Sequence, residues 1–113
     1  MERMTIDGYV VDVLMPDLVG HDRRPAAYLV YLFLLRQSSR TRRDRVAVSL
    51  QTIATRTGLS KSTVQAALRH LKRRQLLDPA VTATQGDPVR RVLKPWYRAA
   101  AGRDAGAVAR ERG

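Results

Sequence analysis

The chain contains no cysteine. That excludes disulfides, thiolate metal sites and cysteine nucleophiles, and it fits a reducing cytosol. Histidine is almost as scarce. His21 and His70 stand alone, with no cysteine and no paired-acid spacing beside them, so no metal site is expected. Long apolar runs are missing as well. The longest, Ala26 to Leu35, has ten residues, against the roughly 20 that a membrane-spanning helix needs. The N-terminus carries acids and lacks a basic start ahead of an apolar stretch, so no signal peptide is expected. There is no phosphate-cradling glycine loop, and Gly86-Asp87 reads as a turn. These absences lead to the expectation of a cytoplasmic protein that is not an enzyme, with no catalytic residues, no cofactor and no membrane partner.

Acidic residues are few: 10 Asp and Glu against 21 Lys and Arg, a net charge of +11. The imbalance is uneven. Residues 1 to 22 hold five acids (Glu2, Asp7, Asp12, Asp17, Asp22) and one base (Arg3), a net of −4, which leaves +15 for the rest. A folded domain this basic faces a polyanion, and nucleic acid is the commonest one. The basic set is mostly arginine, with lysine only at Lys61, Lys72 and Lys94. Arginine's planar fork suits phosphates and guanine edges better than lysine does. The four aspartates Asp7, Asp12, Asp17 and Asp22 recur every five residues, which matches neither a helix face nor a calcium loop, and the spacing reads as chance.

At 113 residues the chain has room for one domain. Residues 1–24 form an N-terminal extension in which Tyr9 to Met15 reads as either a strand or a short helix. Pro16 interrupts that run and can open a further helical turn. Pro25 then starts a helix, Ala26 to Leu35, with almost no polar face. A helix apolar all round must be covered on every side, by the N-terminal segment, by a second subunit, or by both. This helix at 26–35 is therefore the expected homodimer contact. Ser38 to Arg45 reads as a basic loop and Val46-Ala47-Val48 as a very short strand. Ser49 and Ser60 each cap a helix, Leu50 to Thr57 and about Lys61 to Gln75, with Gly58 as the left-handed turn between them. Ala80 to Thr84 and Val89 to Lys94 read as a hairpin, the wing at 80–94, around Gln85-Gly86-Asp87-Pro88. Trp96-Tyr97 is expected to pack back on the domain, and residues 99–113 to form a flexible basic tail.

The stretch from Leu50 to Leu71 has a packing reason at each key position. Ala54 is small where two helices cross, Gly58 permits the tight turn, and Ile53, Leu59, Val64, Leu68 and Leu71 form the shared apolar seam. That spacing is the signature of a helix-turn-helix. The run LQTIATRTGLSKSTVQAALRHLKRRQLL, followed by a basic hairpin, resembles bacterial winged helix-turn-helix regulators of the GntR and MarR type, and related modules of replication initiators. Counting the preceding helix, the similarity spans residues 25 to 97. Two departures stand out. Gln75 occupies a place where such proteins often have glycine, implying a less sharply turned exit from the second helix. Nothing resembling a ligand-binding or dimerisation domain is expected after the wing.

The resemblance implies a mainly α fold with a small β-hairpin, a winged helix-turn-helix with a three-helix core plus wing, in a domain spanning residues 25–98. At about 100° per residue, Val64, Leu68, Leu71 and Gln75 fall on one side of the second helix. Ser62, Ala66, Arg69 and Arg73 fall opposite, with Gln65 and Lys72 on a flank. In this motif the second helix enters the major groove, so Ser62, Thr63, Gln65, Ala66 and Arg69 are expected to read bases. Gln65 suits adenine and Arg69 suits guanine. Lys61, Lys72, Arg73 and Arg74 are assigned to phosphates, and Arg90 and Arg91 resemble wing residues, pointing to opposite faces of their strand. His70, on the helix flank, is expected at the surface or near a phosphate. With Ser60 at the helix start, the expected DNA-binding set is Ser60, Lys61, Ser62, Thr63, Gln65, Ala66, Arg69, Lys72, Arg73, Arg90 and Arg91. The function so implied is sequence-specific binding of double-stranded DNA in transcriptional regulation. The alternatives are a DNA-binding module of replication or plasmid-maintenance machinery, and a helix-turn-helix used only for protein contacts.

Overall fold

The structure is a computed structural model, and it describes residues 2–81 and 86–97. In chain order it contains two π-helical segments, Val10–Leu14 and Pro16–His21, then α1 (Pro25–Thr41), β1 (Arg45–Ala47), α2 (Leu50–Thr57), α3 (Lys61–Arg73) and β2 (Val89–Arg91). It is mainly helical with one small antiparallel sheet, the architecture of a winged helix-turn-helix. The tail expected at 99–113 lies outside the described residues.

The N-terminal extension, open between strand and helix in the sequence, is helical. Its backbone bonds run from i to i+5: the Met15 N–H donates to the Val10 carbonyl, and the Asp22 N–H to that of Asp17 at 2.8 Å. Pro16 opens the second segment, its fixed φ suiting a helical backbone. Val10, Leu14 and Leu18, four residues apart, are all buried. The hydroxyl of Tyr28, on α1, donates to the Val10 carbonyl at 2.9 Å.

Pro25 is the first residue of α1, as its fixed φ favours. Ala27, Tyr28, Val30, Tyr31, Leu34 and Leu35 are buried, and of the ten residues from Ala26 to Leu35 only Leu29 remains a large exposed hydrophobe. The cover demanded by this apolar helix thus comes from within the chain, from the Pro16–His21 segment, α2 and chiefly α3. The helix also runs further than expected, to Thr41. Ser38 looks like a loop residue in sequence, but it is buried and its hydroxyl donates to the Arg43 carbonyl, which anchors the last turn. Arg42, in the left-handed conformation with φ 58°, then ends the helix.

β1 pairs antiparallel with β2 in the register Arg45–Arg91, Val46–Arg90 and Ala47–Val89. On the other side of the same segment, Leu77 forms an isolated antiparallel bridge with Val92. It is flanked by the bonds Asp78 N–H to Arg91 carbonyl and Leu93 N–H to Leu76 carbonyl, each 3.0 Å. The root of the wing therefore lies at Leu77 and Val92, and β2 is shared between β1 and the wing. Of the first arm expected at 80–84, Ala80 and Val81 are not in a strand and 82–84 lie outside the described residues. Trp96 does pack back: its ring stacks on Tyr9 with centroids 4.8 Å apart and meets Tyr31 edge-on at 6.5 Å. The two ends of the described chain thereby close over α1.

Candidate nucleic-acid interface

The turn between α2 and α3 is built by short-range chemistry. Ser49 Oγ accepts from the Thr52 N–H at 3.0 Å and Ser60 Oγ from the Thr63 N–H at 3.2 Å, so each hydroxyl satisfies one orphan donor of its helix. Gly58 has φ 79°, which a side chain would strain, and its N–H bonds the Ala54 carbonyl at 2.9 Å. The next N–H, from Leu59, reaches the same carbonyl at 3.2 Å. Ala54 and Ile53 are buried against α3, whose inward residues are Val64, Ala67, Leu68 and Leu71.

The exit of α3 differs from the expectation. Gln75 adopts φ 60°, so the turn is as sharp as a glycine would make it. The Leu76 N–H reaches the Leu71 carbonyl at 2.9 Å and the Gln75 N–H the Lys72 carbonyl at 3.1 Å, the paired bonds of a Schellman cap. Leu71 and Leu76 are both buried, and the apolar contact that usually accompanies the motif holds a non-glycine residue in place.

Facing away from the core, α3 exposes Lys61, Ser62, Gln65, Arg69 and Arg73, with Thr63, Ala66 and Lys72 half-buried. Among the described residues Lys61, Arg69 and Lys72 form no ion pair. Ser60, Ser62 and Thr63 share a hydroxyl cluster, with Ser60 Oγ 2.8 Å from Thr63 Oγ1 and 3.2 Å from Ser62 Oγ. The structure thus gathers nine of the eleven expected residues on one helix and its cap. The other two lie on β2, Arg90 buried and Arg91 partly exposed in ion pairs. Arg90 is buried, and burial pushes its guanidinium below its ordinary value. Arg91 places Nε 2.8 Å from Asp44 Oδ2 and Nη1 3.7 Å from Asp78 Oδ2. The hydrogen bond to Asp44 holds the Arg91 guanidinium above its usual range.

The far end of α3 holds a feature that sequence reading missed. His70, expected at the surface, is half-buried with Nε2 2.7 Å from Asp22 Oδ2. Arg74, expected on a phosphate, bonds Asp17 and also places Nε 2.9 Å from Asp22 Oδ2. Asp22, whose side chain is 8% exposed, also receives His21 Nδ1 at 3.0 Å. Burial pushes its carboxyl up, but the hydrogen bonds from His21 and His70 and the charge of Arg74 outweigh that and hold it at about 2. The signal was the five-residue spacing of the aspartates. In a helix bonded from i to i+5, Asp17 and Asp22 fall one turn apart on one side. Asp17, His21 and Asp22 also bring three ligand-type atoms within 4.8 Å of one another, but both carboxylates are already engaged by α3.

A family model described as a helix-turn-helix domain matches residues 24–77. No curated protein and no solved structure matches the chain. No helix among the described residues is long and apolar enough to cross a membrane. The matched stretch runs from the residue before α1 to the root of the wing, so over residues 24–77 the chain is similar to a helix-turn-helix domain, and that similarity supports DNA as its partner.

Proposed function

We propose that the chain binds double-stranded DNA sequence-specifically and regulates transcription as a homodimer. The observation that carries this reading is the outer face of α3, where Lys61, Ser62, Gln65 and Arg69 are exposed along one side of a helix whose other side is anchored in the core. In the proposed complex the N-terminal half of α3 lies in the major groove, Gln65 pairs with adenine and Arg69 with guanine. Ser62, Thr63 and Ala66 supply the remaining base contacts. Lys61, Lys72 and Arg73 take phosphates, and Ser60 keeps the helix start close to the backbone.

The wing flanks the duplex in this reading, while its two arginines serve the sheet: Arg90 is buried, and Arg91 is held by Asp44 and Asp78. The pairing of Asp17 and Asp22 with the far end of α3 supports the same polarity. His70 and Arg74 are engaged internally there, while Lys61 and Arg69 are left to face a polyanion.

The test is selection of bound fragments from sheared genomic duplex at near-physiological salt, followed by sequencing. Enrichment of a short motif, above all an inverted repeat, is expected. Binding without enrichment would reduce the function to non-specific DNA association, and no binding would overturn it.

A further inference from the structure

The helical segment over residues 8–21 is apolar on more faces than the core of one chain uses. Val10, Leu14 and Leu18 are buried, yet Val11, Val13, Met15 and Val19 are between 38% and 47% exposed. Val11, Met15 and Val19 repeat the spacing of four, so they form a second row beside the buried one. Scattered exposed hydrophobes need no explanation, but a continuous apolar row on a helix already buried along its other side marks an interaction surface.

That row is self-complementary. It is symmetric about Met15. An antiparallel copy centred there sets Val11 against the second copy's Val19, Val19 against its Val11, and Met15 against its own equivalent. This is the reciprocal pattern that a two-fold interface requires. The charges favour the same orientation. Asp12, towards one end, is exposed, as are Arg23 and Arg24 just past the other, and none of the three has an ion-pair partner among the described residues. An antiparallel mate brings each acidic end towards the other's basic end, whereas a parallel mate sets like beside like.

We infer that Val11, Met15 and Val19 form the two-fold contact of a homodimer, with the N-terminal helical segments of two copies packed antiparallel. The inference rests on the dimeric reading above and relocates its contact from α1, whose apolar residues other than Leu29 are covered within the chain.

Sedimentation equilibrium of the full chain at micromolar concentration should return twice the 12.7 kDa of one chain. Met15→Glu, a change at an exposed position, should halve that mass and leave the circular dichroism spectrum unchanged. In a chain without cysteine, Met15→Cys puts a single thiol on the symmetry axis, within disulfide reach of its mate. It should cross-link on oxidation, and Leu29→Cys, comparably exposed on α1, should not. A monomeric parent chain, a dimer that survives Met15→Glu, or cross-linking at position 29 in place of 15 would each overturn the proposal. Binding of Met15→Glu to a duplex carrying one half-site is measured in parallel. It separates a failure of the interface from a failure of DNA recognition.

Discussion

Nε2 of His70, on α3, lies 2.7 Å from Oδ2 of Asp22, in the link that precedes α1. The contact joins residues 48 positions apart, and the same carboxylate also holds Arg74. A cationic cluster at a helix C-terminus is already favoured by the helix dipole. Here an acid from the N-terminal extension completes it and fixes how α3 sits against the rest of the core. The end of α3 proposed to meet DNA has no such acid among the described residues.

Asp22→Asn should destabilise the fold by about 1–3 kcal/mol at neutral pH, because it removes a charged hydrogen-bond acceptor shared by three side chains. The carboxyl stands at about 2 in the folded chain, below its ordinary 3.8. A depressed folded-state value means that its stabilisation is complete above about 3.8 and is lost as pH falls through 2. Thermal melts of parent and variant should therefore differ most at neutral pH and converge near pH 2. Parallel curves across that range would show that Asp22 does not carry the effect.

Arg69→Ala should weaken binding to the preferred site by about 1–3 kcal/mol and relax the base preference at one position. Lys61→Ala should act differently. It should weaken binding to all duplexes alike and lower the salt slope by about one. Fluorescence anisotropy on matched and shuffled duplexes, each titrated at several salt concentrations, separates the two behaviours. An equal loss on every duplex for Arg69→Ala would remove it from the base-reading set.

Gln75→Gly should raise stability by about 0.5–1 kcal/mol, since the left-handed φ of 60° strains a residue with a side chain. Urea denaturation checks this, with the midpoint rising at constant slope. A fall in the midpoint would mean that the entropy of the added glycine outweighs the relieved strain.

Leu18→Ala should lower stability by about 2–5 kcal/mol, because Leu18 is fully buried between the N-terminal extension and the core. Val19→Ala, at the neighbouring exposed position, should leave the monomer almost unchanged. Urea unfolding at low protein concentration, where association does not contribute, compares the two. Equal small effects would mean that the extension adds little to the core.

The helix-turn-helix was legible in the sequence because its determinants are local. Ser49 and Ser60 cap helices through bonds that span three residues, and Gly58 permits its turn by lacking a side chain. The seam of Ile53, Val64, Leu68 and Leu71 follows from helical period alone. The outer face of α3, with Lys61, Gln65 and Arg69, follows from the same period read on the opposite side. The need for cover over Ala26 to Leu35 was also visible, because a helix with no polar face cannot stand in water.

What covered that helix was a matter for tertiary structure. So were the partners of the charged side chains. Arginine reads the same in sequence whether it ends in solvent or beside a carboxylate. Arg74 and Arg91 were separated from Arg69 only when distant segments brought Asp17, Asp22, Asp44 and Asp78 to them. The left-handed Gln75 belongs to the same class, since buried Leu71 and Leu76 impose a conformation that glutamine does not choose. Local periodicity and capping determined which helices form. Contacts between residues far apart in the chain decided which charges stay exposed.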